Sequence, residues 1–166
     1  MEEKFAIPGA SAIIVKTING KRHILVQERT KHDRPEEYEL LEIPGGKIRE
    51  NEAIFDSIRR EVKEETGLSV IKIEGEDIST SYDDNGYNVI DFTPYCCTQN
   101  IKGQYPVICM VFICEAEGKL LTSSEEAKNY AWVSIDELRK IIVTTPEKIY
   151  PMDMASLKKF ITDERV

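Results

Sequence analysis

The sequence predicts an α/β protein in which a mixed β-sheet lies between helices, an α/β/α sandwich. Three observations lead to this prediction. Strand-like runs recur along the chain, helical periodicity appears in the middle and near the end, and the run PVICMVFIC is apolar on both of its alternating sets of positions. A strand of that kind has neither face in contact with water, so helices must cover both faces of the sheet.

The first predicted element is a β-hairpin at about residues 10–29. SAIIVKTINGKRHILVQER contains two β-rich runs that meet at Asn19-Gly20, a dipeptide suited to a tight turn. The polar loop TKHDRPEEYE follows, and LLEIPGG then ends in a turn at Pro44-Gly45-Gly46. Further on, SVIKIEGEDI, YNVIDFTPYCCTQ and PVICMVFICEAEG are predicted strands, with another turn at Asn85-Gly86.

The segment NEAIFDSIRREVKEET predicts an amphipathic helix, because Ile54, Ile58 and Val62 recur at four-residue intervals. We expect Asn51 to cap its start and Gly67 to end it. WVSIDELRKIIV and MDMASLKKFITDE have two further helical patterns near the end of the chain. These helices are the layers that the apolar strand requires.

Composition limits the classes of function. The 166 residues fit a single domain, 1–166, and 41% apolar residues supply a sizeable core. The formal charge of -8 disfavours binding to a nucleic-acid polymer but not to a small phosphorylated substrate. No apolar run approaches the roughly 18 residues that span a bilayer, and MEEKFAIPGAS does not resemble a signal peptide. We therefore expect a cytoplasmic protein with no membrane partner.

The four cysteines show no C-x-x-C spacing, and two histidines are available to complete a zinc site. The cysteines are Cys96, Cys97, Cys109 and Cys114. We interpret them as reduced side chains packed in strands rather than as a metal or redox site.

Three glutamates of the stretch REVKEETGL carry the candidate chemistry. On a helix Glu61, Glu64 and Glu65 stand at i, i+3 and i+4, so their carboxylates share one face. Like charges this close destabilise a helix unless cations neutralise them. The interleaved basic residues would make a solvated, salt-bridged surface; alternatively, the carboxylates bind a hard divalent cation such as Mg²⁺.

The longer frame favours the metal site. From Gly46 to Leu68 the sequence GKIRENEAIFDSIRREVKEETGL resembles the Nudix box without a mismatch. A chance match to seven fixed identities is on the order of 10⁻⁹ per starting position. The fixed identities are Gly46, Glu52, Arg60, Glu61, Glu64, Glu65 and Gly67.

This resemblance implies a Nudix fold and a metal-dependent hydrolase. Nudix enzymes hydrolyse a nucleoside diphosphate linked to another moiety, with Mg²⁺ or Mn²⁺, by attack of water on phosphorus. Carried over to this chain, Glu61, Glu64 and Glu65 would hold the metal, and one of them, Glu61 first, would orient or deprotonate the water. A backbone carbonyl at Gly45 would also reach the metal. The remaining fixed residues, Gly46, Glu52, Arg60 and Gly67, would support the box.

Two residues outside the box enter by the same resemblance. Many relatives add a carboxylate from a loop before a late tryptophan, and SSEEAKNYAW offers Glu125 and Glu126 before Trp132. We favour Glu126 as the further metal ligand, against a plain surface acid. Arg29 occupies a place where relatives carry a phosphate-contacting arginine, against a plain surface arginine.

The base-binding residues are less well defined. Trp132 is more typical of a core residue than of a stacking platform. The tyrosines Tyr82, Tyr87 and Tyr105 suit either a base pocket or half-buried strands. Asp153 in YPMDMAS lies roughly where relatives that hydrolyse oxidised deoxyguanosine triphosphate place a polar base-reading residue.

The resemblance leaves the substrate open among nucleoside triphosphates, nucleotide sugars and ADP-ribose-like compounds. The proline typical of ADP-ribose hydrolases is replaced by Asp83 and Asp84, and the patterns of coenzyme A and NADH hydrolases are absent. A non-catalytic Nudix-fold module that senses a nucleotide is the alternative, although such proteins usually have eroded boxes. RNA-cap hydrolysis is disfavoured by the acidic charge. Similar enzymes are often homodimers, which we expect here.

Overall fold

The computed structural model of the protein describes residues 3–30, 34–103 and 105–163. Its strands are β1 (Ile7–Ile18), β2 (Lys21–Arg29), β3 (Leu41–Glu42), β4 (Gly45–Lys47), β5 (Ser69–Ile73), β6 (Ser81–Asp84), β7 (Tyr87–Ile90), β8 (Cys96–Gln99), β9 (Val107–Glu117) and β10 (Ala127–Ser134). Its α-helices are α1 (Ile54–Thr66), α2 (Ile135–Thr144) and α3 (Pro151–Thr162). No helix within the described ranges is long and apolar enough to cross a membrane.

The main sheet is mixed. β1 runs parallel to β9 and antiparallel to β2, and β10 extends the sheet beyond β2. β5 and β8 both pair with β9 in the antiparallel direction. The short strands β3 and β4 pair with β2 and β1, so the segment that leads into α1 is attached to the sheet. β6 and β7 form a separate hairpin.

Helices cover both faces of this sheet, as the apolar β9 sequence predicted. Val111 and Ile113 of β9 belong to a core cluster with residues of α2 and α3. Phe112 and Cys114 belong to a second cluster with residues of α1. The alternation of a strand therefore divides β9 between two apolar cores, and the α/β/α sandwich is confirmed.

Both predicted Asn-Gly turns are confirmed. Asn19 and Gly20 have φ of 51° and 76°, and Asn85 and Gly86 have φ of 53° and 83°. Positive φ at both central positions is the backbone of the tightest hairpin turns, which asparagine and glycine adopt with little strain. The first hairpin spans β1 and β2, and the second spans β6 and β7.

The start of α1 corrects the sequence prediction. Asn51 was expected to cap the helix, but the helix begins at Ile54 with Ala53 at the N-cap position and no side-chain cap. Asn51 lies in the preceding turn with φ of 59°, where its side chain is too early in the chain to serve the first helical amides. The predicted end at Gly67 is confirmed, because Gly67 adopts the left-handed conformation that closes many helices.

Four other boundaries were wrong. The predicted turn at Pro44-Gly45-Gly46 is a bend at Pro44, since Gly45 and Gly46 lie in β4. The run YNVIDFTPYCCTQ is not one strand, since β7 and β8 are separated by residues 91–95, which include Pro94. The WVS of WVSIDELRKIIV belongs to β10, and Ser134 caps α2 through a reciprocal contact with Glu137. SVIKIEGEDI is a strand over β5 alone. In the polar loop residues 31–33 lie outside the described residues, as does the glutamate at the end of MDMASLKKFITDE.

Candidate active site

Helix α1 carries the three glutamates on the side that borders the sheet. Ile58 and Val62 are 1% and 0% exposed, so their packing fixes the rotation of the helix. With that rotation Glu61 and Glu65, one turn apart, are drawn inward to 9% and 3% exposure. The side chain of Glu64 stays 51% exposed. Buried carboxylates are rare unless partners compensate them, so their contacts are informative.

The three helical glutamates and the loop before β10 line one open cavity of about 280 Å³. The cavity is lined by Glu61, Glu64, Glu65, Ser124, Glu125 and Glu126. The structure therefore brings the two candidate acids of SSEEAKNYAW beside the box, although the sequence separates them by about sixty residues. The hydroxyl of Tyr130 donates to the backbone carbonyls of Glu65 and Ala127, which attaches β10 to the end of α1.

Arg60 is the centre of a network of glutamates. Its guanidinium donates to Glu52 at 2.6 and 2.8 Å, to Glu61 at 2.6 Å and to Glu64 at 3.2 Å. It also donates to the carbonyl of Lys47 at 3.1 Å, in the strand just after the Gly-Gly pair. Hydrogen bonds from Arg60 hold the pKa of Glu52 at about 2, well below its ordinary range. Glu52 in turn raises the pKa of Arg60.

Gly45 and Gly46 approach the helical glutamates closely. The amide of Gly45 donates to Oε2 of Glu65 at 3.0 Å. A Cβ atom on Gly46 would overlap the carboxylate of Glu61, and one on Gly45 would overlap Ser11 and the backbone of Ala10. Only a residue without a side chain fits at either position without displacing a neighbour.

The Gly-Gly pair also lines a second cleft. Gly45 and Gly46 line it together with Arg29, Tyr105, Tyr150 and Asp153. Tyr105 and Tyr150 are aromatic lining residues, and Asp153 is a buried acid, 6% exposed. Oδ2 of Asp153 accepts a hydrogen bond of 2.9 Å from the amide of Ile43, which links the start of α3 to the segment leading into the box.

Arg29 lies in this cleft rather than on the surface. It is 6% exposed, donates to Glu42 at 2.8 Å and to Glu37 at 3.1 Å, and stacks 4.4 Å from the ring centre of Tyr150. Burial disfavours the charge of Arg29 and so lowers its pKa. The negative charge of Glu42 and the hydrogen bond to Glu42 outweigh this effect, so the pKa of Arg29 is raised. The plain surface arginine is therefore excluded, while the predicted phosphate contact stays a prediction.

Two residues of this region were missed from the sequence. Gln27 donates to Glu65 at 2.8 Å and to Glu42 at 3.3 Å, and all three side chains are buried. The available signal was a pair of long polar residues, Gln27 and Glu42, within runs of strand-like apolar sequence. A polar side chain in such a run is buried only where hydrogen-bond partners meet it.

The structure places the candidate aromatic residues in different regions of the fold. Tyr105 lines the cleft, whereas Tyr82 and Tyr87 are 65% and 71% exposed on the β6–β7 hairpin. Trp132 packs against the core cluster on the α1 side, with the ammonium of Lys16 5.2 Å from the ring centre. Trp132 is partly buried against the core rather than within it, and its interpretation as a core residue stays a prediction. All four cysteines are free thiols, and burial raises the pKa of Cys109 to about 12.

The donor set suits a hard divalent cation, since carboxylate oxygens are the ligands that Mg²⁺ and Mn²⁺ prefer. Within the described ranges, no three His, Cys, Asp or Glu side chains are arranged as they stand to hold an ion. Oxygens of Glu61 and Glu64 accept from Arg60, and Arg49 contacts Glu64 at 3.4 Å. A cation that enters the cavity would replace these arginine contacts with its own charge.

Comparison with known proteins agrees with this geometry. Residues 8–152 match the family model of the NUDIX domain. A curated relative, an 8-oxo-dGTP diphosphatase of Buchnera aphidicola subsp. Schizaphis graminum, is 29% identical over 108 residues. The match covers 65% of this chain and 66% of the relative, slightly less than two thirds of the relative's length.

Solved structures resemble the chain over most of its length. The MutT protein of Methanosarcina mazei Go1 superposes with a TM-score of 0.61 at 22% identity, over 96% of each chain. A NUDIX hydrolase of Nitrosomonas europaea gives a TM-score of 0.68 at 13% identity, over 99% of this chain and 74% of that one. At such identities the likeness concerns the fold alone.

Proposed function

Since the chain belongs to the NUDIX domain family, we propose that it is a Nudix pyrophosphohydrolase that hydrolyses a nucleoside triphosphate with an oxidised purine base. The proposed cofactor is Mg²⁺, with Mn²⁺ as a substitute. One observation carries the proposal: five glutamates line a single cavity, and Gly45 and Gly46, which contact two of those glutamates, line a cleft that contains Asp153 and two tyrosines. The diphosphatase named above, at 29% identity, supports the choice of substrate.

The glutamate cavity supplies the reaction centre. Bound Mg²⁺ neutralises charge on phosphate oxygens and lowers the pKa of a coordinated water. Glu61, Glu64 and Glu65 would hold it from α1, together with Glu126 and the carbonyl of Gly45. Glu61, which borders both the cavity and the Gly-Gly pair, orients the attacking water. A rigid helix suits this task because misplacement by about 1 Å is costly to catalysis.

The cleft supplies base recognition. An ionised carboxylate only accepts hydrogen bonds, and guanine offers acceptors at N7 and O6 on its major-groove edge. An 8-oxo purine carries N–H at N7, so Asp153 favours the oxidised base over guanine at that edge. Arg29, which Glu37 and Glu42 hold beside Tyr150 in the cleft, remains the proposed phosphate contact.

The test is pyrophosphate release from 8-oxo-dGTP and dGTP, with ADP-ribose, nucleotide sugars and dinucleoside polyphosphates alongside, each with and without Mg²⁺. We expect metal-dependent release, highest with the oxidised nucleotide. Glu64→Gln and Glu65→Gln should each lower kcat by about 10²-fold or more, as loss of a preorganised charge does. Glu115→Gln is the matched control, because Glu115 is exposed on β9 and pairs with Lys72.

Three outcomes of this test distinguish the proposed hydrolase from its alternatives. Full activity in both Glu64→Gln and Glu65→Gln would exclude the glutamate cavity as the reaction centre. Release from another member of the panel, but not from 8-oxo-dGTP, would retain the chemistry and reject the base assignment. Nucleotide binding without hydrolysis across the whole panel would favour the non-catalytic sensing module.

Three expectations from the sequence stay predictions: a single domain over residues 1–166, a cytoplasmic location and a homodimer. Analytical ultracentrifugation of the purified chain tests the last of these, because a monomer and a dimer of 19.0 kDa subunits sediment differently. A small nucleotide substrate fits the family, and the expected lack of a nucleic-acid or membrane partner stays a prediction.

A further inference from the structure

Gln27 is the most unusual buried residue outside the box. It lies in β2 with 0% exposure, between the buried apolar neighbour Val26 and the partly buried Glu28. Burying a primary amide is costly unless its hydrogen bonds are satisfied by good partners. Its Nε2 donates to Oε2 of Glu65 at 2.8 Å and to Oε1 of Glu42 at 3.3 Å.

The two acceptors fix the orientation of this amide. A flipped amide would bring its oxygen against the carboxylates of Glu65 and Glu42, and oxygen-to-oxygen contacts of that kind are repulsive. With Nε2 turned toward the acids, Oε1 has no hydrogen-bond partner among the residues that the structure describes. The contact with the two carboxylates is therefore maintained although the other half of the amide gains nothing from it.

The same contact fixes Glu65. Oε2 of Glu65 accepts from both Gln27 and the amide of Gly45, at 2.8 and 3.0 Å, so two donors hold the carboxylate in one orientation. Glu42 is held in turn by Arg29 at 2.8 Å, within the cleft. Gln27 thus joins the carboxylate of the reaction centre to the carboxylate that lines the cleft.

We infer that Gln27 is a positioning residue: it orients Glu65 for metal binding and connects that orientation to Glu42 in the base cleft. This inference rests on the proposed function, because it assigns to Glu65 the role of metal ligand. Residues that hold a ligand's orientation typically change metal affinity or activity by about 10- to 100-fold when they are replaced. Gln27 does not touch substrate and is not itself a ligand.

The experiment measures metal binding apart from turnover. Mn²⁺ is titrated into the free protein and the unbound ion is followed by electron paramagnetic resonance, for the wild type and Gln27→Met. Methionine keeps the length of the side chain and removes the donor, so we expect Mn²⁺ affinity to fall about tenfold. With nucleoside triphosphate, kcat should fall at saturating substrate while KM changes less, since the cleft itself keeps its lining residues.

Val26→Thr is the matched control. Val26 is buried in the same strand and belongs to the core cluster on the other face of the sheet, so threonine there places a hydroxyl in an apolar core without touching Glu65. It should lower stability while leaving Mn²⁺ affinity unchanged. If the Gln27→Met protein does not fold, Gln27→Leu provides a second apolar variant. Circular dichroism establishes whether each protein is folded.

The outcomes separate this inference from the proposed function. Equal Mn²⁺ affinity and equal kcat in wild type and folded Gln27 variants would overturn the inference alone. Loss of Mn²⁺ affinity in Val26→Thr, in proportion to its loss of stability, would also overturn it, because a general structural effect would then suffice. A wild type that binds no Mn²⁺ would overturn the metal site and this inference together.

Discussion

The five glutamates of the cavity come from two regions that hold them in opposite ways. On α1, the side chains themselves are held: Glu65 accepts from Gln27 and Gly45, and Glu61 accepts from Arg60. In the loop before β10, contacts of the backbone hold the two acids in place. The carbonyls of Glu125 and Glu126 accept from the hydroxyl and amide of Thr30, while both acidic side chains are exposed.

This difference separates a permanent part of the site from an adjustable one. Carboxylates held by buried donors keep their orientation without a ligand, so little order remains to be gained when a cation binds. Exposed side chains on a fixed backbone retain rotamer freedom that binding must remove. Under the proposed function, the helix would define the position of the metal, and Glu126 would complete its coordination from the exposed loop.

The largest expected effect contrasts the two regions directly. Glu65→Gln should lower kcat by about 10²- to 10³-fold, because it removes a preorganised charge from the reaction centre. Glu126→Gln should lower it only about tenfold, since an exposed carboxylate contributes less and Glu125 is adjacent. Steady-state kinetics across a Mg²⁺ titration measure both. Equal losses in the two variants would contradict the division into permanent and adjustable parts.

The sequence predicted the arrangement of the helical part well. Glu61, Glu64 and Glu65 follow each other at helical spacing, and Gly67 marks the end of their helix, so local pattern was sufficient. The apolar sequence of β9 likewise predicted helices on both faces of the sheet. These features depend on residues close together in the chain, where periodicity is a direct physical signal.

The supporting contacts could not be predicted in the same way. Gln27 and Glu65 are 38 positions apart, and the contact of Asp153 with Ile43 spans 110 positions. Such pairs meet only after β2, α1 and α3 have taken their places in the fold. The prediction of the start of α1 failed for a different reason. Asn51 is a good cap residue, but it lies in a turn two residues before the N-cap position, and local propensity does not determine the boundary.

The second prediction concerns the brace of the helical part, Glu52 with Arg60. Glu52→Gln should lower the free energy of unfolding by about 1.5 to 3 kcal/mol near neutral pH, the size expected for hydrogen bonds to a charged group. The pKa of Glu52 is held at about 2, below its ordinary value, so the stabilisation is complete above that ordinary value and is lost as pH falls through about 2.

Urea denaturation of wild type and Glu52→Gln at several pH values checks this dependence. The difference between the two proteins should be constant from neutral pH down to about pH 5 and then narrow as the pH falls toward 2. Glu115→Gln removes one partner of the exposed ion pair with Lys72, so its stability should differ little from that of the wild type at any pH. A gap that stays constant down to the lowest pH would show that the charge of Glu52 is not responsible.

Gly46→Ala tests the close approach between the Gly-Gly pair and the helix. Its methyl group would overlap the Glu61 carboxylate, which Arg60 holds in place, so we expect a loss of about 1 to 3 kcal/mol together with reduced kcat. Gly9→Ala is a graded control, because the added Cβ would meet the carbonyl of Gly46 at 3.1 Å instead of overlapping a side chain. If Gly46→Ala lowered the free energy of unfolding less than Gly9→Ala, the close approach of Gly46 to the Glu61 carboxylate would not be the cause.

The smallest expected effect concerns the link between the two regions. The Tyr130 hydroxyl donates to the carbonyls of Glu65 and Ala127, so it fastens the loop of Glu126 to the end of α1. Tyr130→Phe removes that donor and should cost about 0.5 to 1.5 kcal/mol. Because the helical carboxylates keep their own donors, kcat should fall less than in Glu126→Gln.

In the double variant Tyr130→Phe/Glu126→Gln, the two kinetic losses should not add, since both act through the same adjustable carboxylate. Strict additivity would mean that Tyr130 acts on the helical part instead.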